Sequence, residues 1–107
     1  MSVPVPLDEI VTQVERFGPA AFLITVGDGR AHPASVLTEA RTDGALTMPA
    51  GRRTAANVAE RPDVTVLWAG PNADGFALLV DGTAAVTDGV VTVTPTSAIL
   101  HKLASAG

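Results

Sequence analysis

The apolar positions of this chain change period twice, and the changes divide it into elements. Leu7, Ile10, Val11, Val14 and Phe17 recur at helical spacing. Asp8 and Glu9 lie near the start of that run and Arg16 near its end, as the helix dipole favours. Gly18-Pro19 stops it, so the pattern predicts a helix over about residues 7–17. A short apolar run from Ala20 to Val26 then predicts a strand. Gly27-Asp28-Gly29-Arg30 is turn chemistry, because Asp-Gly tolerates the positive φ that hairpins need. A second strand follows over about Ala31 to Glu39 and a third from Ala45 to Pro49, with a turn at Asp43-Gly44.

Arg52 to Glu60 is rich in helix formers, and Pro62 ends the segment. Val64, Val66 and Trp68 share one face of a fourth strand, with Thr65 and Leu67 on the other. An irregular loop at 70–75 leads to a fifth strand from Phe76 that continues to Thr87, with a bulge or kink expected at Asp81-Gly82. Asp88-Gly89 separates two β-branched runs and is the strongest hairpin signal in the chain. Val90 to Thr94 is the sixth strand; Pro95-Thr96 is expected to begin a short tail docked by Ile99, Leu100 and Leu103. The expected fold is mainly β (α+β). It is a six-stranded antiparallel barrel with an N-terminal helix and a short helix between strands 3 and 4, in a single domain over residues 1–107.

Composition adjusts this picture little. With four aromatic residues, Trp68 and three Phe, the core must be mostly Val, Leu, Ile and Ala. The absence of cysteine removes disulfides, thiolate metal sites and cysteine nucleophiles, and suits a cytoplasmic location. Met1 to Pro6 has no basic n-region, so no signal peptide is expected. No apolar stretch approaches the roughly 20 residues that span a bilayer, so no membrane partner is expected. The net charge of −4 and scattered cations argue against nucleic acid; Arg52-Arg53 is the one basic pair, enough for a single phosphate.

Two stretches carry a family resemblance: Gly51-Arg52-Arg53-Thr54-Ala55-Ala56-Asn57-Val58, then Glu60-Arg61-Pro62-Asp63-Val64, within the order helix, three strands, helix, three strands. From about Asp8 to His101 the chain resembles the pyridoxamine 5′-phosphate oxidase-like FMN-binding split barrels. The resemblance implies a split β-barrel and a homodimer with flavin bound at the interface. It points to His32, Pro33, Ala34, Ser35 and Val36 on strand 2 as cofactor contacts. Met48, Pro49, Ala50, Gly51, Arg52, Arg53, Thr54 and Asn57 are implied beyond strand 3. Many relatives carry a lysine where this chain has Thr54, and Arg53 beside it is the substitute cation. The long C-terminal substrate-binding region of the true oxidases has no counterpart before Gly107, so that specific activity is not expected.

On local sequence alone, Arg52-Arg53-Thr54 is a solvated helix start; with the resemblance it becomes a phosphate site of open amides, arginine forks and a close-approach glycine at 51. Asn57 either contacts the cofactor or pins the loop. His32 is a flavin contact or an exposed strand histidine, and His101 lies at the surface or the dimer interface. Trp68 stays in phase with Val64 and Val66 and is expected in the core. No paired carboxylates, metal cluster or hydrolytic triad is legible, and the catalytic residues stay unassigned; a flavin carries its own redox chemistry. The expected function is a flavin (FMN)-dependent oxidoreductase acting on a small-molecule substrate or electron donor. The deazaflavin F420 is the alternative cofactor. Other readings are a flavin- or heme-binding module without turnover and a cofactor-free structural dimer.

Overall fold

The computed structural model describes residues 1–105; the last two residues of the expected domain lie outside them. Its elements are β1 (Ser2–Pro4), a 3-10 turn at Leu7–Glu9, α1 (Ile10–Phe17), β2 (Ala20–Gly27), β3 (Arg30–Leu37), β4 (Glu39–Ala40), β5 (Leu46–Pro49), α2 (Arg52–Glu60), β6 (Asp63–Trp68), β7 (Phe76–Thr87) and β8 (Val90–Lys102). All eight strands join one antiparallel sheet in the order β3-β2-β6-β7-β8-β5-β4, with β1 on β8. The sheet curls into a barrel, but no ladder joins β3 to β5, so the barrel is split along that seam rather than closed.

The helix expected over about 7–17 is α-helical only from Ile10, after the 3-10 turn, and three further features depart from expectation. The stretch after Pro95 is not a docked tail: β8 runs thirteen residues, through Pro95 to Lys102. It pairs with β7 along one edge and with β5, then β1, along the other. Pro95 is tolerated because the register shifts there: Asp81 faces Ser97 and Gly82 faces Pro95, which leaves Thr96 as the bulged residue. The bulge is the irregularity expected at Asp81-Gly82, and Thr96 Oγ1 donates to the Asp81 carbonyl at 3.2 Å. The N-terminal strand, hidden by Pro4 and Pro6, lies at an edge where a missing N–H costs no ladder bond. The second predicted strand breaks at Thr38 into β3 and β4. There the backbone N–H and hydroxyl of Thr38 both donate to the Pro19 carbonyl, and the chain leaves β2 to pair with β5.

Both Asp-Gly hairpins form as expected, with φ of 52° at Asp28, 72° at Gly29, 51° at Asp88 and 77° at Gly89. Inside the barrel lie Leu23, Leu46, Met48, Val66, Leu78, Val80, Val91 and Val93, closed at one end by Ile10 and Val14 of α1. Trp68 is buried with Val64 and Val66, and its indole N–H donates to the Gly18 carbonyl at 2.9 Å, tying β6 to the end of α1. Along β2, Ala21, Leu23 and Thr25 point inward, while the apolar Phe22, Ile24 and Val26 point out.

Candidate functional site

The seam that leaves β3 and β5 unpaired opens a groove of about 460 Å³. The β3–β4 corner supplies Leu37, Thr38 and Glu39, with Pro19 beneath; β5 and the start of β8 supply Thr47, Met48, Pro49 and Val90. Alternation on β5 sends Leu46 and Met48 into the core and turns Thr47 and Pro49 outward, so Met48 meets the groove while its side chain stays buried.

From Pro49 the chain runs straight into α2. Three residues on stands Arg52, within about 10 Å of extended chain. The connection is pinned where the Ala50 N–H donates to the Gly89 carbonyl at 2.9 Å. Gly51 is the N-cap, with extended backbone (φ −71°, ψ 172°) and no side-chain cap. Its carbonyl takes the first helical bond, from the Ala55 N–H at 2.9 Å. The N–H groups of Arg52, Arg53 and Thr54 therefore have no partner within the helix and lie at its positive end. Arg52 and Arg53 are exposed, and among the described residues neither makes an ion pair or side-chain hydrogen bond. Thr54 is turned inward and buried.

Of the residues named from sequence, Met48 and Pro49 line the groove; Ala50, Gly51, Arg52, Arg53 and Thr54 follow them in the chain and are not part of its lining. Three others lie elsewhere. Val36 packs in the core, and Ser35 sits on the outer face opposite Phe22. Asn57 is buried under the barrel, where its amide donates to Thr25 Oγ1 at 3.1 Å. A Cβ at Gly27 would lie 2.3 Å from Asn57 Oδ1, so the glycine makes room for this side chain. The geometry gives Asn57 the pinning role, holding α2 against β2. His32 is half-buried beside the same cluster, with Nε2 3.1 Å from the Gly27 carbonyl oxygen. Of the other two residues at the start of the β3 stretch, Pro33 is exposed and Ala34 is half-buried opposite Leu23. His101 is exposed on β8 and bonds Ser2 at 3.1 Å.

Leu37, Thr38, Glu39, Thr47 and Val90 were not singled out in the sequence. They meet only because β4 folds onto β5 and the β7–β8 hairpin reaches the same edge, and no local signal announces that. Among the described residues no three His, Asp or Glu side chains come together as metal ligands, and no helix is long and apolar enough to cross a membrane.

No protein-family model matches the chain. Solved structures match over nearly its whole length. The FAD-binding protein from Mycobacterium smegmatis superposes with a TM-score of 0.72 at 14% identity, over 95% of this chain and 100% of its own. A Listeria innocua protein assigned as a pyridoxamine 5′-phosphate oxidase gives 0.71 at 16%, over 88% and 96%. General stress protein 26 from Bacillus anthracis gives 0.70 at 16%, over 88% and 92%. These likenesses, with the open seam and the helix between β5 and β6, define the fold as the pyridoxamine 5′-phosphate oxidase-like split barrel. In sequence, the chain is 36% identical to uncharacterized protein Mb0449c of Mycobacterium bovis and, to the same degree, to MT0457 of Mycobacterium tuberculosis. Each alignment of 104 residues covers 78% of this chain and 71% of the relative. The chain belongs to one split-barrel family with these mycobacterial proteins.

Proposed function

We propose that this protein binds a flavin, FMN in the first instance, in the seam groove and works as a cytoplasmic homodimeric oxidoreductase. One observation carries the reading: Pro49 lines an apolar groove, and three residues further along the chain begins a helix with three open amides and two unpartnered arginines. A flat heterocycle suits a slot walled by Leu37, Met48, Pro49 and Val90. A phosphate suits the amides of Arg52, Arg53 and Thr54, where the helix dipole and two guanidinium groups add to one another. This cationic set does the work that a lysine at position 54 does in relatives of the resembling family. The likeness to a protein called FAD-binding supports the same ligand class.

The bound flavin would supply the hydride and electron transfer. The protein's residues then bind, orient and shield it: the helix start anchors the phosphate, and the apolar walls exclude water from the ring. A second copy would complete the shielding. Phe22, Val26 and Leu37 are 41%, 38% and 66% exposed, and register places all three on the outer face of β2 and β3. An apolar face of this kind marks an interface, and Leu37 belongs both to it and to the groove.

The test is the absorption spectrum of the purified protein, followed by titration with FMN, riboflavin and F420. Arg53→Ala should weaken FMN about tenfold, as loss of a charge-assisted bond does, and leave riboflavin, which has no phosphate, within about twofold. A colourless protein that binds none of the three ligands would reject the reading. Equal loss for FMN and riboflavin would reject the phosphate assignment.

A further inference from the structure

We infer that Glu39 and Thr47 form a reading pair for the imide edge of the ligand's heterocycle, and that this pair restricts the groove to flavins and deazaflavins. The inference rests on the flavin reading above and names the specificity element of the same site.

The two residues are direct cross-strand partners in the β4–β5 ladder, so their side chains project to the same face. Both line the groove. Most of the other lining residues are apolar, and the Thr38 hydroxyl already donates to the Pro19 carbonyl at 3.0 Å. Glu39 and Thr47 are thus the lining side chains with hydrogen-bonding capacity still to use. Among the described residues Glu39 makes no ion pair: the nearest basic residue in sequence, Arg41, is held by Asp43 at 2.8 Å. An ionised carboxylate only accepts, whereas a hydroxyl also donates. Side by side they present an acceptor next to a donor. The complement is an N–H flanked by a carbonyl, which is the pyrimidinedione edge shared by isoalloxazines and deazaflavins. A porphyrin has no such edge, and its propionates would meet the Glu39 carboxylate as like charges. The same charge sets the ligand's direction, since a phosphate is repelled from Glu39 and attracted to Arg52 and Arg53, which follow Pro49 in the chain.

Riboflavin and 3-methylriboflavin differ only at the imide N–H, and neither carries the phosphate. Fluorescence titration of both, and absorbance titration of hemin, into the wild type, Glu39→Ala, Glu39→Gln and Thr47→Val separates the possibilities. The wild type should prefer riboflavin over its methylated analogue by about tenfold or more and bind hemin more weakly than either. Glu39→Ala should cut that preference to within about twofold, by weakening riboflavin alone. Glu39→Gln, which keeps an acceptor oxygen, should fall between. Thr47→Val should also weaken riboflavin selectively. Equal wild-type affinity for the two flavins, hemin binding as tight as riboflavin, or a Glu39→Ala loss that is the same for both flavins would overturn the pair's role and leave the flavin reading standing. Failure of the wild type to bind FMN, F420 and riboflavin would overturn both.

Discussion

Replacing Gly27 by alanine places a methyl group where the Asn57 amide already lies. The new carbon would sit 2.3 Å from Asn57 Oδ1 and 2.8 Å from Cγ, well inside the roughly 3.5–4 Å at which such atoms rest. The glycine lies at the end of β2 and the asparagine is held by helix α2, so the amide has to turn away. Turning breaks its 3.1 Å bond to Thr25, whose side chain is fully buried. An unpaired buried polar group costs about 1–3 kcal/mol, and crowding a packed interior adds about 1–3 kcal/mol. We expect Gly27→Ala to destabilise the protein by about 3 kcal/mol, which for a domain of this size lowers Tm by roughly 12 °C. Asn57→Ala alone, which leaves Thr25 unpaired above a small void, should cost about 2 kcal/mol. In the double variant the Gly27→Ala methyl group fills the space the amide vacated. Its cost should stay near that of Asn57→Ala alone, a coupling of about 3 kcal/mol. Urea unfolding read by Trp68, the only tryptophan, measures all three. Additivity within about 0.5 kcal/mol would refute the close approach, and an Asn57→Ala variant of unchanged stability would refute the pinning role.

Other consequences are simpler to test. Trp68→Phe keeps an aromatic ring in the core but leaves the Gly18 carbonyl without its donor, and should cost about 2–4 kcal/mol in the same unfolding assay. Leu37→Glu alters an exposed position and should leave the fold intact, as judged by circular dichroism, while converting the proposed dimer to monomer in sedimentation equilibrium; a variant that stays dimeric would place the interface on another face.

The parts of the fold that could be read from sequence are those decided by neighbouring residues. The two Asp-Gly hairpins, the end of α1 at Gly18-Pro19, α2 between Arg52 and Pro62, and the irregularity at Asp81-Gly82 all depend on local backbone preference. Two departures from the expected fold are places where a proline is tolerated by something distant, and a third, the break at Thr38, is set by the distant Pro19 carbonyl. Pro95 looks like the end of a strand until the bulge opposite Gly82 excuses it, and Pro4 looks like a loop until its edge position does. The site divides along the same line. The run from Met48 to Thr54 is contiguous in the chain, but its glycine and two arginines read locally as a solvated helix start, and only the family resemblance makes them candidates for a ligand. Glu39 and Thr47 are eight positions apart and become partners only in the β4–β5 ladder. Asn57 was ambiguous for another reason. Its direction depends on the phase of α2 against β2, and nothing near Asn57 in the chain specifies that Gly27 lies beneath it.

The open seam has a cost that Pro33 offsets. β3 is the last strand on its side of the sheet, and its outer edge faces the gap. A bare strand edge of eight residues is a template on which an extended segment of another chain can add and grow into an aggregate. Pro33 stands in the middle of that edge and offers no N–H there, so an incoming strand would lose a ladder bond at its centre. The gap can therefore stay wide enough for a small ring while remaining a poor foothold for polymerisation. Pro33→Val should preserve the strand and shorten the lag before thioflavin-positive aggregates form.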